Sequence, residues 1–73
     1  MIKVSGKVEY RAIAVGAWAL VTKEGKIYEL YNPPQDLKQD GITIEVEGVI
    51  RDDVMTISMI GKILEVRSFT IKS

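Results

Sequence analysis

Along the first dozen residues Ile2, Val4, Gly6, Val8, Tyr10 and Ala12 alternate with Lys3, Ser5, Lys7, Glu9 and Arg11. A two-residue period turns one side of the chain to a core and the other to water, the pattern of a half-buried strand. Gly6 within it predicts a bulge or a sharp bend. Two shorter apolar runs, 17–22 and 26–31, flank Lys23-Glu24-Gly25. A three-residue hairpin loop places its last residue in the left-handed region, which glycine occupies without strain, so Thr22 is expected to face Lys26. Counting outward sets Leu20 opposite Tyr28 and Trp18 opposite Leu30 on one face. Val21 then faces Ile27, Ala19 faces Glu29 and Ala17 faces Tyr31 on the other. Four large side chains meet on the first face, which is therefore the predicted core, with Trp18 and Tyr28 inside it rather than free to stack on a ligand.

The stretch "NPPQDLKQDG" predicts a helix of one or two turns, with Asn32 as cap, Pro33 at the first helical position and Gly41 as terminator. Beyond it Ile42, Ile44, Val46, Gly48 and Ile50 alternate with Thr43, Glu45, Glu47, Val49 and Arg51, the clearest strand pattern in the chain. A two-residue turn at Asp52-Asp53 would bring Ile50 opposite Met55, Gly48 opposite Ile57 and Val46 opposite Met59. Each inward position then meets an inward position, and a slip by one residue would put the returning apolar set into water. The aspartate pair reads as this turn rather than as a catalytic pair, because adjacent turn side chains diverge and Arg51 offsets their charge. A last strand is expected over 63–71. Its phase is ambiguous, since Leu64 and Val66 do not share parity with Phe69 and Ile71.

Length and composition narrow the chemistry. The 73 residues make a single domain, 1–73, and contain neither cysteine nor histidine. A core of this size rarely supplies more than about 3–5 kcal/mol, and disulfides and histidine or thiolate metal sites are unavailable as reinforcement. Ser5, Ser58, Ser68 and Ser73 have no histidine to act as base, Gly61-Lys62 lacks phosphate-loop spacing, and Asp36, Asp40 and Gly41 lack the ligand pattern of a calcium loop. The reading is that the chain is not an enzyme and uses no cofactor and no metal. Ten Lys and Arg offset ten Asp and Glu, so the chain carries no overall basic footprint for phosphate binding. No apolar run approaches the roughly 20 residues of a membrane span. The expected location is the cytoplasm, in a soluble form, for a chain from which no leader has been removed.

The second face of the hairpin holds Ala17, Ala19, Val21, Ile27 and Tyr31 around one charge, Glu29. Contiguous exposed apolar surface on a small domain marks a contact site. The strip therefore reads as a surface for self-association, giving a homodimer, or for a protein partner. The alternative is that the carboxyl-terminal segment, through Phe69 and Ile71, folds over it.

A long bent first strand, a three-strand meander, a short helix before the fourth strand and a closing hairpin together resemble the OB-fold barrel. The fold class expected is all-β: a five- to six-stranded antiparallel OB-like barrel with a short helical turn between strands three and four. An SH3-like barrel is the nearest rival, and the helix-like insert counts against it. "WALVTKEGKIYEL" followed by "VEGVIRDDVMTISMIG" is similar to small bacterial and archaeal domains of unassigned function. The OB resemblance implies oligonucleotide or oligosaccharide binding across strands two and three. For single-stranded nucleic acid the candidate contacts are Lys7, Arg11, Lys23, Lys26, Tyr31 and Arg51. The leading expectation is a non-catalytic interaction module. Single-strand binding and small-ligand binding in a barrel-mouth pocket are the alternatives.

Overall fold

The chain forms five strands, β1 (Ile2–Arg11), β2 (Ala17–Val21), β3 (Ile27–Tyr31), β4 (Thr43–Ile50) and β5 (Lys62–Ile71), and one 3₁₀ turn, Gln35–Leu37. The structure is a computed structural model, and it describes residues 1–12, 16–56, 58 and 60–72. The strands pair in the order β1-β2-β3-β5-β4, and β4 pairs back onto β1, so the sheet closes on itself. The all-β expectation holds. The purely antiparallel one does not, because β3 and β5 run parallel, with Tyr28 beside Lys62 and Leu30 beside Leu64. Parity requires this: a closed ring with an odd number of strands cannot alternate direction at every step. Five strands therefore need at least one parallel neighbour.

The first hairpin follows the sequence pattern closely. Gly25 has φ +83°, its N–H donates to the Thr22 carbonyl at 3.0 Å, and Thr22 donates to the Lys26 carbonyl at 2.9 Å. Leu20 pairs with Tyr28, Ala19 with Glu29 and Val21 with Ile27. Trp18 also finds Tyr10 across β1, with ring centroids 5.0 Å apart and an edge-on angle of 61°.

Gly6 marks where β1 changes partners. Up to Lys7 the strand pairs with β4, and from Lys7 onward it also pairs with β2. A Cβ at position 6 would sit 2.3 Å from the Val21 carbonyl oxygen, so only glycine lets the end of β2 approach this closely.

The insert between β3 and β4 forms a single 3₁₀ turn, within the expected one or two, but without the expected cap. Asn32 adopts φ 48° instead of capping, and Pro34 precedes the 3₁₀ turn with extended backbone and no side-chain cap. Its purpose is carried by Leu37, which is fully buried against Val8, Leu20, Leu30, Ile44, Val46 and Leu64. Asp40 then receives the Tyr10 N–H at 2.8 Å, tying the insert to β1.

The predicted second hairpin is corrected. A turn does form at Asp52 and Asp53, but β4 pairs with β5: Ile50 with Leu64, Gly48 with Val66 and Val46 with Phe69. Met55, expected inward, is 87 % exposed, while Ile57 and Met59 lie outside the described residues. A returning strand over 54–60 would pair with β4 alone. The ten-residue β5 pairs with both β4 and β3 and so closes the ring, removing an edge that would otherwise stay open. The ambiguous phase of this segment has a physical cause. The register shifts between Glu47 and Gly48, leaving Arg67 without a counterpart between Val66 and Ser68. This bulge lets even-numbered Leu64 and Val66 and odd-numbered Phe69 all pack towards the same core.

Candidate functional site

Where β1 leaves β2 at Gly6, the β2–β3 hairpin continues past it, and a wedge opens between the two. This groove has a volume of about 770 Å³ and runs from Lys3–Lys7 on β1 to the hairpin tip. Its apolar lining includes Val4, Val21 and Tyr28, which belong to the barrel wall. Four lysines flank it, Lys3, Lys7, Lys23 and Lys26, against two glutamates, Glu9 and Glu24. Glu9 is already engaged, its Oε1 receiving an Arg11 N–H at 3.1 Å. Among the described residues the ion pairs are made by arginines, and none of the four lysines joins one. The Lys26 ammonium lies 5.8 Å from the centroid of the Tyr28 ring, so the hairpin cation is held over the groove's aromatic wall.

The nucleic-acid candidates do not form one surface. Lys7, Lys23 and Lys26 come together in the groove, although they derive from a strand and a distant loop. Lys3 joins them and was missed by sequence reasoning; its place two strand periods before Lys7 on the polar side of β1 is the signal that could have found it. Arg11, Arg51 and Tyr31 are not part of this lining. Arg51 instead forms a small network: two N–H groups reach the Asp53 carboxylate at 2.9 and 2.8 Å, a third reaches Glu65 at 2.8 Å, and the guanidinium lies 5.7 Å from the Tyr31 ring centroid. These contacts fasten the start of the β4–β5 connection to the outer surface of β3 and β5.

Asp53 shows the electrostatic consequence. The bidentate hydrogen bond from Arg51 lowers its pKa to about 2. A carboxyl group whose native pKa lies below its unfolded value stabilises the fold fully above the unfolded value, and the contribution disappears as pH falls through the native one. The stabilisation from this exposed pair is therefore expected to fade between about pH 4 and 2, and to be modest, as for surface ion pairs generally. Asp53→Asn should melt below the unmodified protein at neutral pH, and the two melting temperatures should converge as the pH approaches 2. A constant gap across thermal melts would show that the pair contributes nothing through its charge.

The hairpin strip is less available than its sequence implies. Ala17 and Ala19 are buried, Val21, Ile27 and Tyr31 are half-buried, and Glu29 is only 7 % exposed. The described part of the β4–β5 connection lies along this face: Thr56 donates its hydroxyl to Glu29 Oε1 at 2.6 Å, and Gly61 rests against the Ile27 carbonyl. The covering segment is thus this connection and not the carboxyl-terminal strand, since Phe69 turns to the core and Ile71 is exposed. Self-association through the strip would have to reach alanines already covered within one chain.

Among the described residues no three acidic side chains gather to hold a metal ion, and no helix is long and apolar enough to cross a membrane. No protein-family model, no curated protein and no solved structure matches the chain.

Proposed function

We propose that the chain is a non-catalytic OB-like barrel acting as an interaction module, and that its ligand is an extended anionic segment of a protein partner lying in the groove between β1 and the β2–β3 hairpin. The OB-like reading rests on the long β1 shared between β4 and β2, the closed order β1-β2-β3-β5-β4 and the short helical turn between β3 and β4. The binding reading rests on one observation: four lysines that form no ion pair among the described residues converge on an open groove in a chain with no net charge. Positive charge concentrated beside a cleft raises the local concentration of anionic ligands even when the whole molecule is neutral.

A second reading, single-stranded nucleic acid, is favoured by the same lysines. It is weakened by the aromatic geometry, because Tyr28 is buried with Lys26 over its ring and offers no open platform for a base. Fluorescence anisotropy separates the two. A labelled acidic peptide should bind at low salt, weaken as salt rises, and lose affinity to a Lys7→Glu, Lys26→Glu variant. Binding of a labelled oligothymidylate alone would favour the second reading. Absence of binding to either probe at about 100 μM, in the range of weak non-specific nucleic-acid affinity, would remove the groove as a site.

A further inference from the structure

The free backbone edge of β1 determines how the groove would hold its ligand. Val8 donates its N–H to the Ile42 carbonyl at 2.8 Å and accepts the Gly41 N–H at 2.7 Å, so both its backbone polar groups point to the β4 side, towards the segment that leads into that strand. In an antiparallel ladder these groups reverse direction at each residue. The β1–β4 register is unbroken from Ile2 to Lys7, so Ile2, Val4 and Gly6 also point to β4, and Lys3, Ser5 and Lys7 point the other way. Lys7 meets β2 there, opposite Val21, and β2 goes no further. Lys3 and Ser5 therefore turn two N–H and two C=O groups towards the groove, where, among the described residues, no strand pairs with them.

We infer that this edge is a strand-addition site, and that the occupant is an extended segment of a partner protein in which apolar and acidic residues alternate. The inference rests on the groove being the binding site and names the mode of binding there. An added strand along Ile2–Gly6 would span about 17 Å at the usual rise and would pair with the unmet groups of Lys3 and Ser5. Its side chains would alternate between two environments: the apolar wall at Val4, Val21 and Tyr28, and the lysines on the rim.

The opposite edge of β1 shows the same preference already satisfied. There β4 supplies Ile44 and Val46 to the core in alternation with Glu45 and Glu47, and Lys3 stands opposite Glu47. A second acidic and apolar strand on the groove side would repeat that arrangement. The chain's own β4 cannot supply it in a second copy, because it is paired on both sides within the ring. Among the described residues the latter half of β5, from Val66 onward, has no strand partner on the side away from β4. It carries the bulge at Arg67, a device that twists an edge away from pairing.

The probes are a short labelled peptide alternating valine and glutamate, two N-methylated versions of it, and a labelled oligothymidylate. N-methylation at alternate residues removes the amide protons from one edge of the peptide while leaving charge and side chains intact. The parent peptide should bind and slow hydrogen exchange at the Lys3 and Ser5 amides. One N-methylated version should bind about tenfold or more weakly, for loss of hydrogen bonds worth about 1.4 kcal/mol or more in total, and the other should bind like the parent. Ser5→Pro removes a groove-facing donor without touching a β1–β4 bond, and should weaken the peptide similarly provided its circular dichroism is unchanged. If that variant does not fold, the peptide pair still decides. Equal binding of all three peptides without protection at Lys3 and Ser5 would overturn strand addition while leaving an anion-binding groove. Preference for the oligothymidylate would overturn the peptide assignment, and failure of every probe would overturn the groove reading too.

Discussion

Leu64→Ala is expected to remove most of the stability of this domain, and Met55→Ala almost none. Leu64 is fully buried, lies beside Leu30 on the parallel neighbour and opposite Ile50 on β4, and belongs to the central cluster with Leu20, Leu37 and Ile44. Truncating a buried leucine costs about 2–5 kcal/mol, from lost transfer energy and the cavity that remains. A core this small supplies little more than that in total. At about 4–8 °C per kcal/mol for a domain of this size, the melting temperature should fall by at least about 8 °C, or folding should fail outright. Met55 is 87 % exposed, and surface changes away from special features usually stay within about 0.5 kcal/mol. Circular dichroism melts of the two variants also test the topology. The tight hairpin suggested by the sequence would place Met55 inward, so a large loss from Met55→Ala with a small one from Leu64→Ala would restore that hairpin and reject the present pairing of β4 with β5.

The contrast shows what the sequence disclosed and what it concealed. The first hairpin was legible because its information is local: Gly25 fixes the turn, and the turn fixes the register outward to Leu20 and Tyr28. The alternation in 42–50 likewise located β4. What failed was the partner of β4. Met55, Ile57 and Met59 matched its inward positions by count, and the turn at Asp52-Asp53 is present, yet period and turn alone cannot weigh a local partner against one that closes the ring. The ambiguous parity between Val66 and Phe69 was a true signal of the bulge at Arg67, and it became readable only once β4 was set alongside.

The groove was partly legible for the same reason. Lys23 and Lys26 sit on a loop whose position was known, and Lys7 lies on the polar side of β1. Their meeting depends on the change of partner around Gly6, where β1 passes from β4 to β2, a three-dimensional event that a linear pattern records only as one glycine. Arg11 and Arg51 have the same charge, but partners nearby in space hold both: Glu9 for the first, and Asp53 with Glu65 for the second. Composition counts cations without showing which ones are already paired.

Gly48→Ala is expected to cost at least about 2 kcal/mol, well beyond an ordinary exchange of glycine for alanine in a strand, because overpacking forces backbone apart. Gly48 is buried at the shift in the β4–β5 register, and a Cβ there would come 2.1 Å from the Glu65 carbonyl oxygen and 3.1 Å from Leu64 Cδ1. The nearer atom belongs to the main chain, so rotating a side chain cannot relieve the clash. The strands must separate where β5 joins β4 to β3, which moves Leu64 within the core and Glu65 away from Arg51. Gly41→Asn gives the matching control. Gly41 has φ +93° with nothing within 4 Å of its would-be Cβ, and asparagine tolerates the left-handed region better than most residues, so the cost there should be backbone strain without a clash, and smaller than that of Gly48→Ala. Denaturant unfolding should show the large difference between the two variants, and hydrogen exchange should place the added opening of Gly48→Ala along β5. A Gly48→Ala variant as stable as the parent would mean that the Glu65 backbone does not cross at Gly48, and the closed pairing of β4 with β5 would fall with it.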